Sequence, residues 1–181
     1  PKASGRCYNN AIMDVEHDLQ VNVRSFRSGD QGACQKLYVE GLIGGTLAEN
    51  DTGLDIDNIQ AAYMTEGNHF WVAETPDGEV IGMVGVQHHD RDAGEIRRLR
   101  VRQDHRRRGV GTRLLETAIK FCQDCGYLKV ALDTFIEREA ALKLFEKFCF
   151  RHERTKHVGG RELLYFYLDL YTSDHPPQHK P

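Results

Sequence analysis

Apolar and polar positions along the chain change period several times, and each change marks an element. Val21, Val23 and Phe26 suggest an opening strand. Asp30 stands where a helix N-cap belongs, ahead of a helix running to about Ile43 and ended by Gly44-Gly45. A second helical stretch covers roughly residues 56–64. The apolar runs 70–73 and 80–87 form a hairpin across the turn Pro76-Asp77-Gly78. A further strand, 95–101, precedes a glycine-containing turn. Val110, Leu114, Ala118 and Cys122, flanked by Leu115 and Ile119, then mark one face of a helix, with Gly126 as its C-cap. Residues 129–133 make a short strand, and Ala141, Leu144, Phe145 and Phe148 one helix face. The final strand is 163–171, with 151–158 pairing to it across Gly159-Gly160.

The order strand, two helices, three strands, helix, strand, helix, two strands predicts an α+β fold. It is built on one mixed sheet of about six to seven strands flanked by about four helices. The 181 residues suffice for a single domain with a sizeable core. Residues 21–172 are expected to form it. Residues 1–20 carry few apolar positions and read as a flexible arm. Residues 173–181, with Pro176, Pro177 and Pro181, read as an extended flexible tail.

Composition alters little in this picture. Hydrophobic residues make up 40% and charged residues 28%, as in ordinary globular proteins. No apolar run approaches the roughly 20 residues that span a bilayer. The first thirty residues show no secretory segment, so a cytoplasmic or nuclear location is expected. Cys7, Cys34, Cys122, Cys125 and Cys149 are odd in number and scattered, which suits reduced thiols. The net charge of −3 disfavours a general nucleic-acid binder, yet eight arginines fall between Arg97 and Arg113. Without interleaved aromatics, that cluster fits a phosphate-rich ligand better than a nucleic acid.

The run Arg106-Arg107-Arg108-Gly109-Val110-Gly111-Thr112 follows a strand and opens a helix. Two glycines one residue apart let the backbone approach a ligand closely, and the free amides at a helix start converge on one point, a setting for pyrophosphate. The spacing is that of neither G-x-G-x-x-G nor a Gly-Lys-Ser/Thr loop. It closely resembles the Arg-x-x-Gly-x-Gly signature of the GCN5-related N-acetyltransferase (GNAT) superfamily. The stretch from Ala141 to Phe150, Ala-Leu-Lys-Leu-Phe-Glu-Lys-Phe-Cys-Phe, is similar to that family's second block, usually Ala-Ile-x-Leu-Tyr-Glu-Lys-x-Gly-Phe. The resemblance covers about residues 21–171. A looser similarity in 57–74 and in the 95–101 strand points to camello-like acetyltransferases, which usually carry a membrane segment.

The resemblance implies that the strands on either side of the glycine-loop helix splay apart and hold acetyl-CoA. Backbone groups of Leu99, Arg100 and Val101 would meet the acetyl and pantetheine portion. Arg106, Arg107, Arg108, Gly109, Val110, Gly111 and Thr112 would hold the pyrophosphate, with Arg138 in the second block. The implied activity is direct acetyl transfer to a primary amine on a small molecule or peptide, with no metal. A homodimer is left open. Transfer needs a base for the ammonium proton. Glu95, fourteen residues before Gly109, occupies the place where histone-acetylating relatives keep a glutamate. Strict alternation puts it on the same face as Leu99 and Val101; the other reading is a surface carboxylate paired with a neighbouring arginine. The family commonly has tyrosine at Phe145, proposed to protonate the leaving thiolate, so Tyr165 or Tyr167 would be its substitute. Arg138 and Cys149 stand where asparagine and glycine are usual.

Other patterns carry less. Cys122-x-x-Cys125 lies near a helix end, not a helix start, and lacks two further zinc ligands. His88-His89-Asp90 reads as a polar strand end bordering a cleft, and Trp71 as hairpin core. Two other functions fit the motifs: a non-catalytic acyl-CoA-binding regulator and a nucleic-acid-binding module.

Overall fold

The computed structural model describes residues 20–171. The expected arm, apart from residue 20, and the expected tail lie outside that range, as does Cys7. Seven strands form one mixed sheet: β1 (Asn22–Ser25), β2 (His69–Glu74), β3 (Val80–Asp90), β4 (Ala93–Val101), β5 (Lys129–Phe135), β6 (Arg151–Val158) and β7 (Arg161–Asp169). Their spatial order is β1-β2-β3-β4-β5-β7-β6. All pairings are antiparallel except β4 with β5. Five helices pack on it: α1 (Gln31–Glu40), α2 (Leu54–Asp57), α3 (Ile59–Tyr63), α4 (Val110–Asp124) and α5 (Glu139–Lys147).

The extra helix arises at Asn58, where the expected single helix breaks. Its backbone leaves the helical region at φ −146°, and its side chain caps α3 by accepting from the Ala61 amide at 3.1 Å. Asp30 does not cap α1. Its carboxylate takes the Arg24 guanidinium at 2.7 and 2.9 Å and the Arg27 amide at 2.8 Å instead, closing a short turn before the helix. The helix itself stops at Glu40, three residues short of expectation. Gly126 ends α4 as expected, with φ +77° and the Tyr127 amide returning to the Cys122 carbonyl.

The sheet's two faces have separate cores. α4 lays Val110, Leu114, Leu115, Ala118, Ile119 and Cys122 on one, against Trp71, Val84, Ile96, Val130 and Leu132. Burying each large aliphatic side chain contributes roughly 1.5–3 kcal/mol. Trp71 packs on Phe121 and His69, so it is core. On the other face, α1, α2 and α3 bring Leu37, Ile56, Ile59 and Tyr63 onto Phe70, Val72 and Met83. Tyr63 lies flat enough on β3 that a Cβ at Gly85 would come within 2.5 Å of its ring, so glycine is required there.

Candidate active site

β4 and β5 pair only from Ala93–Lys129 to Glu95–Ala131. Beyond that the strands run on, to Val101 and Phe135, without pairing, and a V-shaped gap opens between them. β4 is shaped for it by a bulge. Gly85 faces Arg97 and Met83 faces Arg100, so β4 spends one extra residue, Arg98, whose φ is +57°. The bulge reverses the alternation. Ile96, Leu99 and Val101 pack toward α4, whereas Glu95, Arg97, Arg98 and Arg100 turn toward α1–α3. Strict alternation had put Glu95 on the face of Leu99 and Val101; the structure puts it on the opposite one.

Left-handed backbone disfavours arginine, so something must hold Arg98. Its guanidinium, with the side chain 7% exposed, donates to Asp51 at 2.6 and 2.8 Å and to Asp55 at 2.8 and 2.5 Å. Tyr38 donates to Asp51 and Tyr63 to Asp55, at 2.9 and 2.5 Å. Burial alone would raise both carboxyls, but the guanidinium outweighs it and keeps them below the usual carboxylate range. The segment after α1 is thereby tied to the bend in β4. None of this network was visible in the sequence: an Arg and two Asp more than forty residues away have no shared motif.

The register assembles a second group on the same side. Glu95 lies beside Ala131, which lies beside Tyr167; one step along, Asp133 lies beside Tyr165. Ala131, between Glu95 and Tyr167, carries only a methyl group. Glu95 sits 3.4 Å from Arg97 Nη1 and 3.8 Å from His89 Nδ1, so His89 does border the cleft. Asp133, which no sequence motif marks, has an exposed edge but is crowded by neighbouring groups. That crowding, and next the Glu95 carboxylate, push its carboxyl up. Burial and then Asp133 push the Tyr165 phenol up, so it keeps its proton at neutral pH. Lys129 lies 4.3 Å over the Tyr167 ring and Arg154 4.4 Å over that of Tyr165.

The glycine loop closes the far end of the gap. Arg107 has φ +57° and Gly109 φ +80°, and Gly109 begins α4 with no side-chain cap. Among the described residues, the amides of 107–112 donate to no backbone carbonyl, so they are free for an anion. Arg106, Arg107 and Arg108 are exposed, Gly111 and Thr112 half-buried, and Val110 is core. Two carbonyls of the gap strand are occupied: Val101 accepts from Arg106 Nε at 3.0 Å and Leu99 from Arg100 Nη1 at 2.9 Å. A pantetheine chain using either would have to displace a guanidinium. Arg138 does not point along the loop; its Nη2 reaches the Gly41 carbonyl at 2.7 Å.

Phe145 is 4% exposed and packs with Phe150 and Phe166 inside the core. Cys149 has φ +61°, the left-handed position after α5, which explains why a glycine is usual there. Cys34, Cys122 and Cys125 are free thiols, and burial pushes Cys34 and Cys122 up to about 12. Among the described residues no three His, Cys, Asp or Glu side chains gather as a metal site, and no helix is long and apolar enough to cross a membrane.

The chain is similar to a probable N-acetyltransferase camello of Xenopus tropicalis, 36% identical over 131 residues, covering 70% of this chain and 56% of that one. It is also similar to human N-acetyltransferase 8, 35% identical over 103 residues, covering 54% and 45%. It thus spans about half the length of such curated relatives. Among solved structures, yncA of Salmonella typhimurium, determined with its cofactor acetyl-CoA, has the same fold. It superposes with a TM-score of 0.71 at 22% identity, covering 87% of this chain and 98% of that one. The model of the acetyltransferase (GNAT) family matches residues 38–150. That span holds the bulged β4, the gap beside it and the glycine loop, and the chain belongs to the acetyltransferase (GNAT) family.

Proposed function

We propose that this chain transfers the acetyl group of acetyl-CoA to a primary amine by direct attack within a ternary complex. One observation carries the reading: the unpaired edge of β4 runs straight into the free amides of residues 107–112. An extended pantetheine chain fits such an edge as an added strand, and a pyrophosphate fits such a loop. The Salmonella neighbour, solved with acetyl-CoA, supports the same choice of donor.

The amine must lose a proton before its nitrogen can bond the thioester carbon. Glu95 is the base in this reading, directly or through one water, with Asp133 the next carboxylate on that side. The C–N bond forms, the C–S bond breaks, and the coenzyme leaves as thiolate. Phe145 has no proton to give; Tyr165, held protonated beside Asp133, is the better placed of the two tyrosines to supply one. A thiol of ordinary pKa ~8.5 also leaves tolerably unaided. A covalent acetyl-cysteine route finds no support at Cys34 or Cys122, whose thiols are buried and hard to ionise.

A nucleic-acid role is disfavoured by where the arginines go. Arg97, Arg98, Arg100 and Arg102 turn into ion pairs or the interior and do not form an open cationic face. The test is acetylation of an amine panel with mass-spectrometric identification of products. Polyamines, peptides and amino acids belong in it, aspartate included, since a Xenopus tropicalis relative 32% identical over 100 residues is named N-acetylaspartate synthetase. At least one amine should gain 42 Da (the mass of an acetyl group replacing hydrogen, roughly) with stoichiometric release of coenzyme A. Tight acetyl-CoA binding with no product from any amine would favour the acyl-CoA-binding regulator.

A further inference from the structure

The arginines on the α1 side of β4 are balanced unevenly. Arg97 faces Glu95, Arg98 faces Asp51 and Asp55, and Arg102 faces Glu79 and Asp104. Arg100 and Arg138, among the described residues, form no ion pair; they have only carbonyls, those of Leu99 and Gly41. The Arg100 Nε is sealed from solvent with no hydrogen-bond partner. It is pressed so closely under Gly41 that a Cβ there would come within 2.6 Å of it. Burial, followed by the charges of Arg138 and Arg98, pushes the guanidinium down to about 9. A buried cation with no acid lowers the stability of the fold, and replacing it by an apolar side chain is commonly neutral or stabilising. Within the fold Arg100 makes one hydrogen bond, to the Leu99 carbonyl, and has no acid to balance its charge.

Next to it is a cavity of about 190 Å³, lined by Leu37, Glu40, Gly41, Arg100, Gln103 and Arg106 among others. Its one acid, Glu40, leans toward Lys36 at 3.9 Å. We propose that this cavity is an oxyanion subsite in which Arg100, with Arg138 beside it, receives a carboxylate carried by the acceptor. The assignment rests on the acetyl-transfer reading and goes beyond it by naming a substrate class. Arg100 projects toward α1, the side of Glu95, whereas α4, whose first amides would take the pyrophosphate, packs on the opposite face. Arg100 and Glu95 share this side, so the anion is placed on the acceptor; Val101 and Arg106, at the cofactor's end of the gap, also line the cavity, and comparing acetyl-CoA with acetyl-pantetheine separates the two sources. Arg100 lies five positions beyond Glu95, about 13–16 Å along a strand, and the guanidinium folds back onto Leu99. Amine and carboxylate should then lie on the order of ~10 Å apart, the span of a short peptide with a free terminal acid and longer than any single α-amino acid.

The free acids and C-terminal amides of di-, tri- and tetraglycine test this, by calorimetry in the presence of coenzyme A and by kcat/KM. The parent should favour acid over amide by roughly 10–100-fold, most strongly at an intermediate length. Arg100→Met should bring that ratio close to one, and Arg100→Lys should keep part of it. Without ligand, Arg100→Met should melt no lower than the parent. No acid preference in the parent, or an undiminished one in Arg100→Met, overturns the subsite. So does a weakened affinity of Arg100→Met for acetyl-CoA but not acetyl-pantetheine with the acid preference intact, which would assign the charge to a cofactor phosphate. So does a marked fall in melting temperature, which would make Arg100 structural. Because calorimetry needs no turnover, acid binding without acetylation would refute the transferase reading alone.

Discussion

Strands β2 and β3 are covered on both faces, by α4 on one and by α1–α3 on the other, and their residues 70–73 and 81–86 are almost wholly buried. Strands β5 and β7 place Val130, Leu132, Phe166 and Leu168 in the core on one face, Asp133 on the other is exposed with Tyr165 and Tyr167 half-buried beside it, and β6 is exposed along nearly its whole length. The covered half therefore needs its polar groups satisfied internally, as Arg98 is by Asp51 and Asp55. The open half lets Tyr165, Tyr167 and Asp133 face solvent and so a ligand. The candidate chemistry lies on the seam between them, where a rigid strand supplies backbone groups and an open one supplies access.

That contrast predicts where substitutions act. The largest effect should come from Arg98→Met in the covered half. It leaves two half-buried carboxylates without their buried cation and releases a left-handed bulge, costing about 3–5 kcal/mol. Denaturant unfolding measures it; a loss below 1 kcal/mol would mean that the network is ornamental. At the seam, Glu95→Gln should leave stability and acetyl-CoA affinity nearly unchanged while turnover falls by ~10²-fold. Because the Glu95 charge helps to raise the Asp133 carboxyl, removing it lowers Asp133, and any acidic limb of the pH–rate profile that Asp133 controls should move to lower pH. An unchanged profile and turnover would return Glu95 to a surface partner of Arg97.

Smaller effects separate core from site. Phe145→Tyr places a hydroxyl among Phe150 and Phe166, so it should cost roughly 1–3 kcal/mol with turnover per folded molecule unchanged; faster turnover would put position 145 in the chemistry after all. Cys149→Gly relieves a positive φ and should stabilise by about 1 kcal/mol, read as a higher unfolding midpoint.

The hairpin, the α4 stripe, the glycine loop and the paired final strands were legible because each rests on local periodicity or turn chemistry. The helix break at Asn58 was not, since its cap competes with a continuous apolar pattern. Nor was the bulge at Arg98, which is fixed by partners more than forty residues away. That one residue also reversed the face assigned to Glu95 and hid its neighbour Asp133, whereas an arginine partner for Glu95, here Arg97, was among the readings the sequence left open. Glu95 itself was found by its distance from Gly109, which survives the bulge because spacing in sequence does not depend on side-chain direction.

The most direct test of the seam as the acetyl-CoA slot is ligand-dependent stabilisation of Gly111→Asp. A Cβ at Gly111 would meet Leu144 at 3.4 Å and Val101 at 3.7 Å, ordinary contacts, so the variant should fold. Its carboxylate would stand among the amides of 107–112. Acetyl-CoA at ~100 times its dissociation constant should stabilise the parent by about 2.7 kcal/mol and the variant hardly at all. Equal stabilisation of both would contradict the placement of the pyrophosphate at this loop, and with it the slot between β4 and β5.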